Sequence, residues 1–99
     1  MNNSENKSRL DIIHNPATNR FEIQLGDGLA FLEYQIRNDN MIFIHTETPP
    51  QHEGKGFGGR LARAGLEFAK EHFYRVVPLC PFVEAYIARH PEYKMLVRK

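Results

Sequence analysis

The feature that most constrains this chain is a change of hydrophobic period at Pro49-Pro50. Before it, apolar residues recur at alternate positions: Phe21, Ile23 and Leu25, then Ala30, Leu32, Tyr34 and Ile36, with Glu22, Gln24, Glu33, Gln35 and Arg37 between them. That is the period of a strand with one buried face. After it, Leu61, Gly65, Leu66, Ala69 and Phe73 fall at helical spacing, with Arg60, Arg63, Glu67, Lys70 and Glu71 on the other side. Strands first and helices afterwards read as an α+β domain.

Turn chemistry divides the first half. Asn15-Pro16-Ala17-Thr18-Asn19, Gly26-Asp27-Gly28 and Asn38-Asp39-Asn40 separate four antiparallel strands expected near 9–14, 20–25, 29–37 and 40–46. The last of these, Met41 to His45, is apolar on both faces and belongs inside the sheet. A helix is expected over 57–72. Arg75 to Cys80 is short, apolar and β-branched, hence a buried strand over 75–80. Pro81 suits the first turn of a second helix running to about residue 89, Pro91 ends it, and Tyr93 to Val97 is read as a short final strand. The expectation is a mixed, mostly antiparallel sheet with two helices in one domain, residues 9–99, after a polar, flexible start over 1–8.

A chain of 99 residues, 41% of them apolar, supports one modest core and not two. Thirteen Lys and Arg against twelve Asp and Glu give a net charge of +1, so no global field would gather nucleic acid or an anionic membrane. Neither is expected as a partner. Cys80 is the sole cysteine, which excludes an intramolecular disulfide and fits a reducing compartment. The first residues lack the apolar core of a signal peptide, and no apolar run approaches the roughly 18 residues of a membrane span, so the cytoplasm is the expected location. His14, His52, His72 and His90 have no spacing typical of zinc, and no metal is expected.

Chemistry is concentrated in Gln51-His52-Glu53-Gly54-Lys55-Gly56-Phe57-Gly58-Gly59-Arg60, a glycine-rich loop that runs from an apolar strand into an amphipathic helix. Glycines let the backbone turn sharply and approach a ligand, and the unpaired N–H groups of a helix's first turn favour a phosphate or pyrophosphate. Two familiar nucleotide loops do not fit. Lys55 is followed by Gly56 and not by a hydroxyl residue for magnesium, as a Walker A loop requires. A dinucleotide fingerprint opens a parallel sheet, whereas four antiparallel strands precede this loop.

The segment resembles the acyl-CoA pyrophosphate loop of GCN5-related N-acetyltransferases, whose pattern Gln/Arg-x-x-Gly-x-Gly/Ala matches Gln51 to Gly56. His45-Thr46-Glu47, Cys80-Pro81-Phe82-Val83, Tyr86 and His90-Pro91-Glu92-Tyr93 extend the likeness to a small bacterial and eukaryotic subgroup of about this length. The resemblance covers residues 9–93. It implies splayed central strands, 41–46 and 75–80, with the pantetheine arm of acetyl-CoA in the gap, and no long helices between the first two strands. It also implies acetyl-CoA or CoA as cosubstrate, held by Thr46 and by Gln51 through Gly59, with Lys55 and Arg60 adding charge near its phosphates.

The implied reaction is attack of an amine on a thioester. A backbone N–H between His45 and Glu47 would polarise the carbonyl. His45, or next Glu47, would take a proton from the incoming ammonium. Cys80, just before a helix N-terminus, would either accept the acetyl group or simply touch the pantetheine; its pairing with His45 depends on a distance the sequence does not give. Tyr86 stands where the wider family places the acid that protonates the leaving thiolate. Phe82, Val83, Tyr86 and Ile87 share a helical face and read as core. So short a chain leaves a shallow pocket, or one completed by a partner, suited to an amine on a protein, a peptide or a polyamine. A monomer or weak dimer is expected. The alternatives are a CoA-binding module without turnover and a protein-interaction domain that binds no CoA.

Overall fold

The computed structural model describes residues 11–98. Five strands form one sheet: β1 (Ile12–Asn15), β2 (Arg20–Gln24), β3 (Leu29–Arg37), β4 (Asn40–Glu47) and β5 (Arg75–Pro78). Their order across the sheet is their order along the chain. β1 to β4 pair antiparallel, and β5 runs parallel to β4. The crossover between them is α1 (Phe57–Glu71), and α2 (Pro81–Arg89) follows β5. The proposed start over 1–8, and the first two residues of the strand expected at 9–14, lie outside the described residues.

Alternation places the core. Phe21, Ile23, Ala30, Leu32, Tyr34, Met41 and Phe43 are buried, while their neighbours Glu22, Phe31, Glu33 and Ile42 are only half-buried. The buried face lies under α1, whose Leu61, Ala62, Gly65, Leu66 and Ala69 complete the contact. Gly65 sets how close the helix comes: a Cβ there would lie 2.7 Å from Phe43 Cε1 and 3.0 Å from Leu32 Cδ2. α2 lies against the N-terminal end of α1, because Gly58 has no Cβ to collide with Phe82, whose Cζ would be 2.8 Å away.

Two expectations are corrected. β5 stops at Pro78, so Cys80 is not in the strand; Leu79 N–H turns back to Val77 O at 3.1 Å and Cys80 caps α2. Pro78 brings no N–H to extend the ladder, which is why it ends there. The final strand expected at 93–97 is instead a 3₁₀ turn over Pro91–Leu96. Its Tyr93 is buried and donates to Glu67 Oε2 on α1 at 2.6 Å, an anchor that needs a turn and not an extended chain. Only Val97 retains sheet character, as an isolated parallel bridge to Val76.

Candidate functional site

β4 and β5 are paired from Asn40 beside Arg75 to Phe43 beside Pro78, with Cys80 N–H donating to Phe43 O at 2.9 Å. β4 then continues alone on that side to Glu47. Backbone groups on the exposed edge of β4 therefore face a cleft and not a strand. A cavity of about 470 Å³ opens there.

One wall is the end of β4 and the residue after it, Thr46 and Thr48; the other is the glycine loop with the first turn of α1. Gly54 and Gly56 hold φ angles of +85° and +88°, a left-handed conformation that favours glycine, and Gly56 is the N-cap of α1. The helix begins without a side-chain cap and without an acidic residue in its first turn. Its first intrahelical bond runs from Arg60 N–H to Gly56 O, which leaves the N–H groups of Phe57, Gly58 and Gly59 without helical acceptors. A Cβ at Gly59 would make an ordinary 3.7 Å contact with Tyr86, so packing does not demand glycine there, yet its absence keeps the cavity wall bare. Open donors, the positive end of a helix and no competing carboxylate on that turn fit a phosphate group.

A bulge decides which side chains meet. Tyr34 faces Phe43 and Glu33 faces His45, so Ile44 is an extra residue in β4. Strict alternation from Met41 and Phe43 would place His45 on the helix side with Cys80. The bulge reverses the phase: Thr46, opposite buried Leu32, points to the helix side, and His45 and Glu47, opposite Glu33 and Phe31, point to the other. Thr46 Oγ1 accordingly meets Cys80 Sγ at 3.3 Å, and His45 Nε2 meets Glu47 Oε1 at 2.9 Å. The structure joins His45 with Glu47 and Thr46 with Cys80; it does not join His45 with Cys80.

The remaining candidates divide by position. His52, Glu53, Gly54, Gly56, Phe57, Gly58 and Gly59 line the cavity. Gln51 turns away to Asp27, and exposed Lys55 reaches His52 Nδ1 at 3.2 Å. Cys80 is buried behind Thr46 and outside the lining. Tyr86 is buried in the seam between the helices and stacks on His90 at 4.0 Å between ring centroids, also outside the lining. Phe82 corrects the expectation of a uniformly core face on α2: it is 39% exposed and lines the cavity, whereas Val83, Tyr86 and Ile87 are buried. Thr48, Phe82 and Asp27 are not among the expected site residues; Phe82 lies in the family-like stretch Cys80-Pro81-Phe82-Val83 and Asp27 is the acid of a Gly-Asp-Gly turn, whereas Thr48 carries no signal.

The model of GCN5-related N-acetyl-transferases matches residues 20–96, most of the chain and all of the cleft. The chain belongs to this family. A solution NMR structure of a GCN5-like candidate N-acetyltransferase from Staphylococcus aureus superposes with a TM-score of 0.68, at 23% identity, over 92% of this chain and 90% of that one. At that identity the likeness is one of fold, a single α+β domain. Among the described residues no three His, Cys, Asp or Glu side chains are grouped to hold a metal ion, and no helix is long and apolar enough to cross a membrane.

Proposed function

We propose that this GCN5-related acetyltransferase binds acetyl-CoA in the cleft between β4 and β5 and transfers its acetyl group to an amine, as a member of the family's small, helix-poor subgroup. The observation that carries the proposal is the uncapped, acid-free first turn of α1 opening into the 470 Å³ cavity at the parting of the two strands. Gly54 to Gly59 would hold the pyrophosphate, and Thr46, Thr48 and Phe82 would line the path of the pantetheine. Acetyl-CoA supplies the thioester.

The chain's own part follows from the bulge. N–H groups on the cleft edge of β4 past Phe43 are positioned to hydrogen-bond a carbonyl oxygen and to stabilise the charge it gains. His45 sits on the opposite sheet face at the same level, with Glu47 fixing its ring, and would receive the proton of an ammonium arriving from that face. An acceptor on that face and a cosubstrate between the strands approach the same point from two sides. Cys80 is screened from the cavity by Thr46, which favours direct transfer over an acetyl-enzyme. Tyr86 is given a packing role, and proton return at the end of the reaction falls to water in the open cleft.

Calorimetric titration of acetyl-CoA and CoA tests the site, and mass spectrometry of lysine peptides and spermidine incubated with acetyl-CoA tests the transfer. Binding with acetylated amine that falls at least tenfold in Glu47→Gln and His45→Ala is the expected result. Binding without transfer would mean a CoA-binding module, and no binding would leave a protein-interaction domain.

A further inference from the structure

The β2–β3 turn reaches across to the glycine loop at two adjacent positions. Asp27 accepts hydrogen bonds from His52 Nε2 at 2.9 Å and from Gln51 Nε2 at 3.4 Å. One residue later, a Cβ at Gly28 would lie 3.0 Å from Pro49 Cγ, so the missing side chain lets the entrance of the loop close against the turn. A polar contact and a steric one thus seat the same turn on the same loop.

Valence fixes the protons of this contact. Lys55 Nζ lies 3.2 Å from His52 Nδ1, and an ammonium has only protons to offer, so Nδ1 is the acceptor. The one proton of the neutral ring is then on Nε2, the nitrogen that faces Asp27. An ionised carboxylate accepts and never donates, so it selects this tautomer. The bond from His52, and after it the bond from Gln51, hold the Asp27 carboxyl below its ordinary range. Carboxylate, imidazole and ammonium form a relay in which the carboxylate favours the tautomer whose Nδ1 accepts from the ammonium.

We infer that Asp27 is a positioning residue for the phosphate loop, acting through His52, which lines the cavity, to hold the ammonium of Lys55, itself outside the lining, against that ring and within the loop that would take a phosphate. The inference rests on the CoA reading above. A long lysine side chain gives up rotamer freedom when it binds an anion, and ordering it beforehand lowers that loss. The relay also explains why Gln51 and His52, both in the loop, turn their nitrogens toward a distant hairpin.

The test is a double-mutant cycle read by calorimetric titration of CoA into the wild type, Asp27→Ala, Lys55→Ala and the double variant. Each single change is expected to weaken CoA by roughly fivefold, and the double variant to bind within about twofold of Lys55→Ala, since the relay has no further effect once its ammonium is gone. Asp27→Asn keeps an oxygen to accept the Nε2 proton and is expected to bind within about threefold of the wild type. Independent, multiplying losses in the double variant, or an Asp27→Ala affinity equal to the wild type, would overturn the inference and leave the CoA site standing. A wild type that binds no CoA would instead remove the reading beneath it.

Discussion

The two ends of α1 are built from the same backbone and finished in opposite ways. At the C-terminal end, Tyr74 N–H donates to Ala69 O at 2.9 Å and Phe73 N–H to Lys70 O at 3.3 Å, the paired bonds of a Schellman motif. Phe73 takes the left-handed position, φ +61°, which glycine usually fills, and His72 Nδ1 adds a further bond to Phe68 O at 2.9 Å. The carbonyls of Phe68, Ala69 and Lys70 are therefore supplied from within the chain. The N-terminal end has glycine at its left-handed position, no cap and no acid. A fold that only had to stop a helix shows at Phe73 that it can do so with an unfavourable residue. Where it uses favourable ones, at Gly54 and Gly56, it leaves the first donors of the helix without helical acceptors, and that is the asymmetry expected of a ligand site.

The sharpest way to break this contrast is Gly56→Glu, which puts a side chain at φ +88° and a carboxylate at the positive helix end. We expect CoA binding to fall by at least about 100-fold in calorimetry. Gly65→Val acts midway along α1: its methyl groups must enter the space of Phe43 and Leu32, and we expect a loss of about 1–3 kcal/mol in urea unfolding. Phe73→Gly should have the reverse sign, because the ring is 89% exposed and leaves little behind. Relief of the left-handed strain, less the entropy of glycine in the unfolded chain, should stabilise by about 0.5–1 kcal/mol and leave CoA affinity unchanged.

The smallest expected effect is a pH slope at the finished end. His14 donates or accepts at Tyr34 Oη, 2.6 Å away, and stacks on Phe21 and edge-on against Phe68. Burial, and then the charge of His72, lower its pKa in the folded state. The unfolded chain therefore binds this proton more readily, so the stability is fully present above the ordinary imidazole value of 6.5 and is lost as pH falls below it. His14→Gln should flatten that slope in melts between about pH 5 and pH 7 without changing the N-terminal site.

What could be read from the chain follows the same division. Local chemistry was legible: the period change at Pro49, the glycines before α1, Pro81 opening α2, and a family pattern specific enough to place the cleft. Boundaries set by local signals fell within a residue or two, with α1 ending at Glu71 and α2 at Arg89. Long-range consequences were not legible. Ile44 looks like any apolar strand residue, and only the register of β4 against β3, which leaves it unmatched, makes it a bulge that sends His45 and Cys80 to different faces. Tyr93, Met95 and Val97 alternate as in a strand, and the reach of Tyr93 to Glu67 bends the segment into a turn. Asp27 is an ordinary turn residue until the hairpin is folded over the loop.

The strand order carries one more consequence, for how the domain assembles. Three of its four strand pairings join neighbours linked by short turns, whereas β5 must return to β4 across the whole of α1. Short closures form early and long ones late. The meander should therefore gain protection from hydrogen exchange before β5 does, and the cleft, which exists only where β5 parts from β4, would be the last feature of this molecule to come into being.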